Sequence, residues 1–184
     1  MQFACINPNV EVLAQLLDVN ADFNMTDTEM RRPVHYAAAC EGLGPLKLLL
    51  EKGANLADID MKKVTCLHVA AKARRPDNIR FILSKNDALL KLRDKSGKNA
   101  MAYACENGDL ECIKALLEAG VLVNAGVGAE RMSPLSWLAA LGEYEACEWL
   151  LDNKGRVLSK DKFKRCPLAL AVRNGHLKVA SLLL

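Results

Sequence analysis

The segment Thr65-Cys66-Leu67-His68-Val69-Ala70 is one of five related segments along this chain. They begin at residues 32, 65, 99, 133 and 166, so the steps between them are 33, 34, 34 and 33 residues. A second landmark keeps the same spacing, since paired aliphatic residues recur as Leu16-Leu17, Leu49-Leu50, Ile82-Leu83, Leu116-Leu117, Leu150-Leu151 and Leu183-Leu184. Two landmarks that share one period indicate an array of stacked structural repeats.

Each repeat has the pattern of a helical hairpin. In the fifth repeat, Leu135 and Ala139 on one short run and Leu150 on the next lie at helical spacing. Pro134 fits the first turn of a helix, where a missing N–H costs nothing. Glycine, which adopts positive φ without strain, occupies the expected turn between the two helices in three repeats, as Gly108, Gly142 and Gly175.

These residues resemble the ankyrin repeat family, whose signature is Thr-Pro-Leu-His-x-Ala followed by Gly-His-Leu-(x)5-Leu-Leu. The signature is clearest at residues 65–71 and 175–184, and the resemblance covers the whole chain. It implies an all-α solenoid of helix-turn-helix units that are joined by β-hairpin-like fingers. We expect a single domain, 1–184, with incomplete first and last units and approximate unit boundaries at 1–27, 28–60, 61–94, 95–128, 129–161 and 162–184.

Composition excludes several classes of protein. The 184 residues carry a net charge of only +3, which does not point to a nucleic-acid-binding protein. The seven cysteines include no CxxC pair and no zinc-type spacing, so we expect reduced, packed thiols and an intracellular location, cytoplasmic with the nucleus as alternative. No segment approaches a membrane span of about 18 apolar residues. Because Val12, Leu16, Leu182 and Leu183 resemble interior residues, we expect a fragment of a longer protein.

Two features depart from the family pattern. Arg74 replaces the turn glycine of the third repeat and Pro76 replaces a leucine, so we expect a remodelled turn there. At the finger tips, Gly97 is matched by non-glycine residues that must use another turn type or tolerate strain: Met30, Lys63, Arg131 and Lys164. The glycine-rich connection at 123–132 is expected to be the most flexible finger.

The polar and aromatic residues of the repeats favour structural roles over chemistry. The resemblance implies that His35 and His68 bond backbone groups of neighbouring repeats, and His176 is expected to be structural as well. Trp137 and Trp149 are expected to fill the core. A lowered thiol pKa at Cys66 or Cys166, near a helix start, is the less favoured alternative to packing. We expect no enzyme activity, no cofactor and no metal.

Two asparagines are candidates for modification. Asn24 and Asn124 occupy a position at which, in the ankyrin family, an oxygen-dependent hydroxylase sometimes acts. The alternative role is a hydrogen bond that stabilises a turn, since asparagine favours turns. The resemblance therefore assigns possible modification sites without excluding the simpler structural role.

The family's concave face, made of fingers and first helices, is where we expect a partner to bind. Its basic candidates are Arg31, Lys62, Lys63, Lys72, Lys95, Lys98, Arg131, Lys162, Lys164, Arg165 and Arg173, and its apolar candidates are Met61, Met132, Leu141 and Phe163. This mixture suits an acidic protein segment with apolar anchors. The alternatives are an anionic small ligand or nucleic acid on the same face, a recognition arm of an enzyme or channel that lies outside this chain, and merely solvated lysines.

Overall fold

The chain folds into twelve α-helices and one 3-10 helix in a computed structural model that describes all 184 residues. The bounds are α1 Gln2–Ile6, α2 Glu11–Asp18, α3 Pro33–Ala39, α4 Gly44–Glu51, α5 Cys66–Lys72, α6 Pro76–Lys85, the 3-10 helix Asp87–Lys91, α7 Ala100–Glu106, α8 Leu110–Glu118, α9 Pro134–Leu141, α10 Tyr144–Asp152, α11 Pro167–Arg173 and α12 Leu177–Leu182. The predicted all-α array of helical hairpins is confirmed. No helix is both long and apolar enough to cross a bilayer.

The helices form two compact blocks, which we call the N-terminal block (Met1–Lys95) and the C-terminal block (Ser96–Leu184). In the N-terminal block, α3 packs between α1 and α5, and each second helix packs beneath its own first helix. The core is aliphatic and fully buried, with Leu46, Leu67 and Ile79 among its largest members. Burial of each such side chain contributes about 1.5–3 kcal/mol.

The C-terminal block has the same arrangement. Helix α9 packs between α7 and α11, and α8, α10 and α12 cover the other side of these helices. Met101, Ile113, Leu116, Leu135 and Leu138 are fully buried there. Because neither helix of a repeat can bury its apolar side alone, packing between neighbouring repeats completes the core of the block.

Local sequence determines where the helices begin. Asn99 and Ser133 cap α7 and α9, since their side-chain oxygens accept hydrogen bonds from the backbone N–H groups of Ala102 and Ser136. Such caps contribute about 1 kcal/mol each. The 3-10 helix is not predicted by the repeat pattern. It begins after Asn86, whose side chain accepts a hydrogen bond from the Ala88 N–H at the position where two other repeats turn through Gly53 and Gly120.

Four of the six turns between paired helices share one left-handed geometry, whereas the α1–α2 and α3–α4 turns differ. Gly108, Gly142 and Gly175 have φ of 63°, 83° and 80°, as predicted. The expectation that the turn at Arg74 is remodelled is wrong, because Arg74 adopts the same left-handed conformation with φ of 58°. Arg74 and Arg75 donate backbone hydrogen bonds to Ala71 and Ala70, the pattern that also follows α7. These bonds hold the backbone in a conformation that is strained for a residue with a Cβ.

Candidate partner-binding surface

The segments that join successive repeats are tight turns organised by an aspartate. We call residues 27–31, 60–64, 127–132 and 161–165 the fingers, and we count Lys95, which lies in the corresponding segment of the next repeat, with the fingers of the N-terminal block. In three of them the first residue is aspartate, and its Oδ1 accepts hydrogen bonds of 2.8–2.9 Å from the backbone N–H groups two and four residues later. The carboxylates of Asp27, Asp60 and Asp161, each five residues before the next repeat segment begins, thereby fold the fingers as tight turns.

Neighbouring fingers are linked by backbone hydrogen bonds. In the N-terminal block, the Met61 N–H donates to the Glu29 carbonyl at 2.9 Å and the Lys95 N–H donates to the Lys62 carbonyl at 2.8 Å. In the C-terminal block, the Lys162 N–H donates to the Glu130 carbonyl at 3.0 Å. These bonds fix the spacing of adjacent fingers within each block, so their side chains form a repeating, ordered surface.

The finger tips tolerate strain. Met30, Lys63, Arg131 and Lys164 have φ between 53° and 62°, in the left-handed region that glycine prefers. All four side chains are exposed, as predicted. The surrounding hydrogen bonds stabilise this strained conformation at each tip. Because the tip residue is not glycine, each tip also exposes a side chain to solvent.

The finger at 127–132 is closed differently from the others. Gly128 stands where the other fingers have aspartate, and the preceding Val127 N–H donates to the Met132 carbonyl at 2.8 Å in an isolated antiparallel bridge. Met132 is only 5% exposed because this bridge turns it inward. Its assignment to the partner-binding surface is therefore wrong. The flexibility expected of this finger stays a prediction.

Three of the expected surface cations are held in ion pairs. Arg31 binds Asp27 at 2.9 Å, Lys98 binds Glu106 at 2.6 Å, and Arg165 binds Asp161 at 2.6 Å. Burial alone would raise the pKa of Asp161, but hydrogen bonds from the Arg165 backbone and side chain and from the Phe163 backbone lower it below its ordinary value. These cations organise fingers and helices more than they present free charge.

Asp27 has the same environment with an added tyrosine. The Tyr36 hydroxyl and the Arg31 Nε both donate to its Oδ2. Burial would raise the pKa of Asp27, but hydrogen bonds from Tyr36 and from the backbone of Arg31 and Glu29 lower it far below its ordinary value. The carboxylate is therefore charged at every pH at which the protein is expected to work.

The remaining basic candidates are exposed in both blocks. They are Lys62, Lys63, Lys72 and Lys95 in the N-terminal block and Arg131, Lys162, Lys164 and Arg173 in the C-terminal block. Three apolar candidates stand among them with 41–56% of their area accessible, namely Met61, Leu141 and Phe163. The Phe163 ring lies 4.9 Å from the Lys162 ammonium and 4.7 Å from the Arg165 guanidinium, so cation–π contacts support it.

The candidate asparagines make hydrogen bonds to neighbouring residues. Asn24 accepts one from the Arg32 guanidinium at 3.2 Å. Asn124 donates to the Lys154 carbonyl at 2.9 Å and accepts from the Arg156 N–H at 2.8 Å, so its amide links the fourth repeat to the fifth. Hydroxylation of either residue stays a prediction.

The histidines are structural, as expected. His35 Nδ1 accepts from the Arg32 N–H at 3.1 Å, so the proton lies on Nε2, which donates to the Val64 carbonyl of the next repeat at 3.2 Å. His68 Nδ1 makes the matching bond to the Thr65 N–H. His176 reaches back 3.0 Å to the Ala140 carbonyl of the previous repeat.

Six of the seven cysteines are buried and all are free thiols, with Cys166 half-buried. Burial raises the pKa of Cys66 to about 12, which contradicts the lowered pKa considered for it. Trp137 and Trp149 are packed against the core with part of each side chain exposed, so the expectation that they fill the core is met in part. The Lys114 ammonium lies 5.6 Å from the Trp149 ring, which explains a partly exposed position.

Comparison with known proteins agrees with this architecture. The family described as ankyrin repeats in three copies matches residues 1–94, 55–126, 85–161 and 121–184, which together span the chain. The chain is 30% identical over 181 residues to the poly-ADP-ribose polymerase tankyrase of Caenorhabditis elegans, covering 88% of this chain and 8% of that protein.

Two further relatives are similar over nearly the whole chain. It is 32% identical over 183 residues to the human transient receptor potential cation channel subfamily A member 1, covering 95% of this chain and 16% of the channel. It is 30% identical over 191 aligned positions to mouse inversin, covering 100% of this chain and 18% of inversin. The chain thus spans less than a fifth of each of these relatives. With the matched profile and the helical hairpins in agreement, this chain belongs to the ankyrin-repeat family.

Proposed function

We propose that this chain binds a protein segment on the fingers and first helices of its blocks, and that the segment is acidic with apolar anchors. Ankyrin repeats are protein-interaction modules. The observation that carries the finer proposal is the placement of exposed Met61 beside exposed Lys62 and Lys63 on one hydrogen-bonded finger. In the C-terminal block, exposed Phe163 stands between Lys162 and Lys164, one position later in its finger than Met61.

The two kinds of side chain have different tasks in this proposal. The lysines raise the rate of encounter with an acidic segment and orient it, an effect that salt weakens. Methionine and phenylalanine lose water on binding and supply most of the affinity. The hydrogen bonds between fingers hold both kinds at fixed spacing before the partner arrives, which reduces the entropy lost on binding.

The test is a charge reversal on the fingers of the N-terminal block. Peptides selected from a random display library for binding to the wild-type chain should be rich in Asp or Glu next to large apolar residues. The triple variant Lys62→Glu, Lys63→Glu, Lys95→Glu should bind them at least tenfold more weakly, with little remaining salt dependence. Lys98 is left unchanged because it pairs with Glu106.

A matched control separates the surface from total charge. The variant Lys47→Glu, Lys85→Glu, Lys91→Glu makes the same change in charge at exposed positions on α4, at the end of α6 and in the 3-10 helix. It should bind the peptides nearly as wild type does, and both triples should unfold at similar temperatures. Equal loss of binding in the two triples, or none in either, would show that the finger surface is not the binding site.

We also propose, by similarity, that this surface serves a longer polypeptide. The relatives include a polymerase and a cation channel by name, and the chain matches only 8% and 16% of them. Reading the complete open reading frame would test this, and a frame that codes for repeats alone would contradict it. Binding of nucleic acid is the remaining alternative, and a short oligonucleotide that binds at low salt with a steep salt dependence would support it.

A further inference from the structure

A cleft in the C-terminal block lies beside the fingers at 127–132 and 161–165. Its volume is about 390 Å³, and its walls include Arg131, Lys160 and Lys162 together with Asn124, Ser133 and Ser159. Lys160 and Ser159 precede the 161–165 finger and lie outside the candidate surface residues given above. The cleft therefore joins candidate surface residues to a polar wall that the repeat pattern did not reveal.

The charge of the cleft is positive. The one acidic wall residue, Asp161, has a fully buried carboxylate that accepts bonds from Arg165 Nε and from two backbone N–H groups. Its negative charge is compensated by Arg165, whose guanidinium also binds Glu130. One guanidinium cannot neutralise both carboxylates, but Arg131, Lys160 and Lys162 outnumber the single carboxylate charge that remains, so the cleft keeps a net positive charge. A concave surface with cations of one sign attracts an anion more strongly than a flat one does.

The wall also holds hydroxyl groups that are arranged for donation. Ser133 is only 4% exposed, and its Oγ lies 2.8 Å from Ser159 Oγ and 3.0 Å from Ser136 Oγ. When Ser136 donates to Ser133 and Ser133 donates to Ser159, the Ser159 proton is available to a ligand in the cleft. The second and third repeats have His35 and His68 at the position of Ser136, so this chain of hydroxyls is particular to the fifth repeat.

We propose that this cleft binds an oxyanion on a side chain of the partner segment, either a carboxylate or a phosphate. The proposal rests on the function proposed above and adds the chemistry of one subsite. Arg131, Lys160 and Lys162 supply the charge, Ser159 donates a hydrogen bond, and the buried Ser133 orients it. A neutral amide of the same size can still accept the Ser159 hydrogen bond, but it gains no charge attraction from the three cations, so the subsite discriminates by charge.

The test uses three acetylated pentapeptides that differ only at the central residue, which is phosphoserine, glutamate or glutamine, and inorganic phosphate as a fourth probe. Titration of the isotope-labelled chain followed by amide NMR should give saturable shifts at Ser133, Ser159 and Lys162 with the phosphoserine or the glutamate peptide. The better of the two identifies the source of the oxyanion. The glutamine peptide should bind at least tenfold more weakly.

Two double variants make the result specific. Lys160→Gln with Lys162→Gln should weaken binding of the anionic peptide at least tenfold, whereas Lys114→Gln with Lys178→Gln, an equal change of charge on α8 and α12, should leave it within twofold. Equal binding of all three peptides, inorganic phosphate binding with no preference among the peptides, or equal effects of the two double variants would overturn the proposal. An oligonucleotide that shifts these amides while the peptides do not would overturn it as well.

Failure here is distinguishable from failure of the proposed function. If the anionic peptides do not shift the cleft while the triple variant of Lys62, Lys63 and Lys95 still loses binding of selected peptides, the oxyanion subsite is wrong and the finger surface stands. If the cleft binds the anionic peptide while that triple variant binds selected peptides as wild type does, the subsite stands and the wider surface is wrong.

Discussion

Arg165 Nε lies 2.6 Å from Asp161 Oδ2, and Asp161 Oδ1 accepts the backbone N–H of the same arginine. Arg31 and Asp27 make the same two contacts in the N-terminal block, four residues apart. In both fingers an arginine follows the aspartate by four residues. The aspartate carboxylate accepts one hydrogen bond from the main-chain N–H of that arginine and one from its side chain, and these two bonds close the finger. This relationship removes two cations from the set that is free to meet a partner.

Replacing the Asp161 carboxylate should show how much it contributes to the free energy of unfolding. Asp161→Asn keeps an acceptor but loses the charge that Arg165 binds, so the free energy of unfolding at pH 7 should fall by about 1.5–3 kcal/mol. Because the folded-state pKa of Asp161 lies below its unfolded value, the stabilisation is present above about pH 4 and is lost as pH falls through the folded pKa. Urea unfolding at pH 7 and pH 3 should show the difference between variant and wild type shrinking at pH 3. A gap of the same size at both values would contradict the ionic explanation.

Protonation of His35 should also make the folded protein less stable as the pH falls. Burial lowers the pKa of this imidazole, and the hydrogen bond to the Val64 carbonyl only partly offsets that effect. The unfolded chain therefore takes up a proton first, so the stabilisation is complete above about pH 6.5 and is lost as pH falls below it, by at most about 1.4 kcal/mol per pH unit. His35→Gln should flatten the dependence of unfolding free energy on pH between 7 and 5. If the variant and the wild type have parallel profiles, another group is responsible.

Two glycines of equal backbone geometry should differ in their tolerance of a methyl group. Gly142 and Gly175 have φ of 83° and 80° at matching turns, but a Cβ at Gly142 would overlap the His176 ring whereas one at Gly175 would meet open space. Gly175→Ala should cost about 1 kcal/mol from the backbone alone. Gly142→Ala should cost about 1–3 kcal/mol more, because it also displaces the ring that binds the Ala140 carbonyl. Thermal unfolding of the pair measures the difference, and equal losses would exclude the steric contribution of His176.

A single substitution should relieve strain after α10. Lys154 has φ of 68° at the position where other repeats have Gly53 and Gly120. Lys154→Gly should raise the free energy of unfolding by up to about 1 kcal/mol, since a left-handed residue with a Cβ costs about 1–2 kcal/mol and glycine adds some unfolded-state entropy. The reverse test is Gly120→Ala, which has room for its methyl group yet should destabilise through φ alone. Stabilisation by Gly120→Ala would show that the left-handed geometry is not the cause.

The sequence predicted best where one interaction repeats along the chain. The 33- and 34-residue steps placed every pair of helices, and Gly108, Gly142 and Gly175 placed three of the turns, because both follow from local backbone preference and apolar periodicity. Arg74 shows the limit of that reasoning. Its side chain argues locally for a different turn, but the backbone hydrogen bonds that follow α5 hold it in the glycine geometry.

The sequence predicted which residues belong to the candidate surface better than it predicted which of them are exposed or held in ion pairs. Met132 was expected to be exposed because of its register, but it lies in the bridge to Val127 and is buried. The aspartate and arginine spacing in two fingers was a signal that could have been read from the sequence, since the two residues are four apart in both. The cleft beside Lys160 had no such signal, because its walls come from segments about 30 residues apart.

The amino-acid sequence alone determined the number of repeats, the helical hairpins and the family, since each depends on short segments whose pattern recurs. Only the tertiary structure showed which cations are held in ion pairs, that Met132 is buried, and that the hydroxyl groups of Ser136 and Ser159 lie within hydrogen-bond distance of the Ser133 hydroxyl. The physical reason is range: turns and helices are set by contacts within a few residues, whereas the Arg165 contact to Glu130 and the Ser133 contact to Ser159 join residues 35 and 26 positions apart.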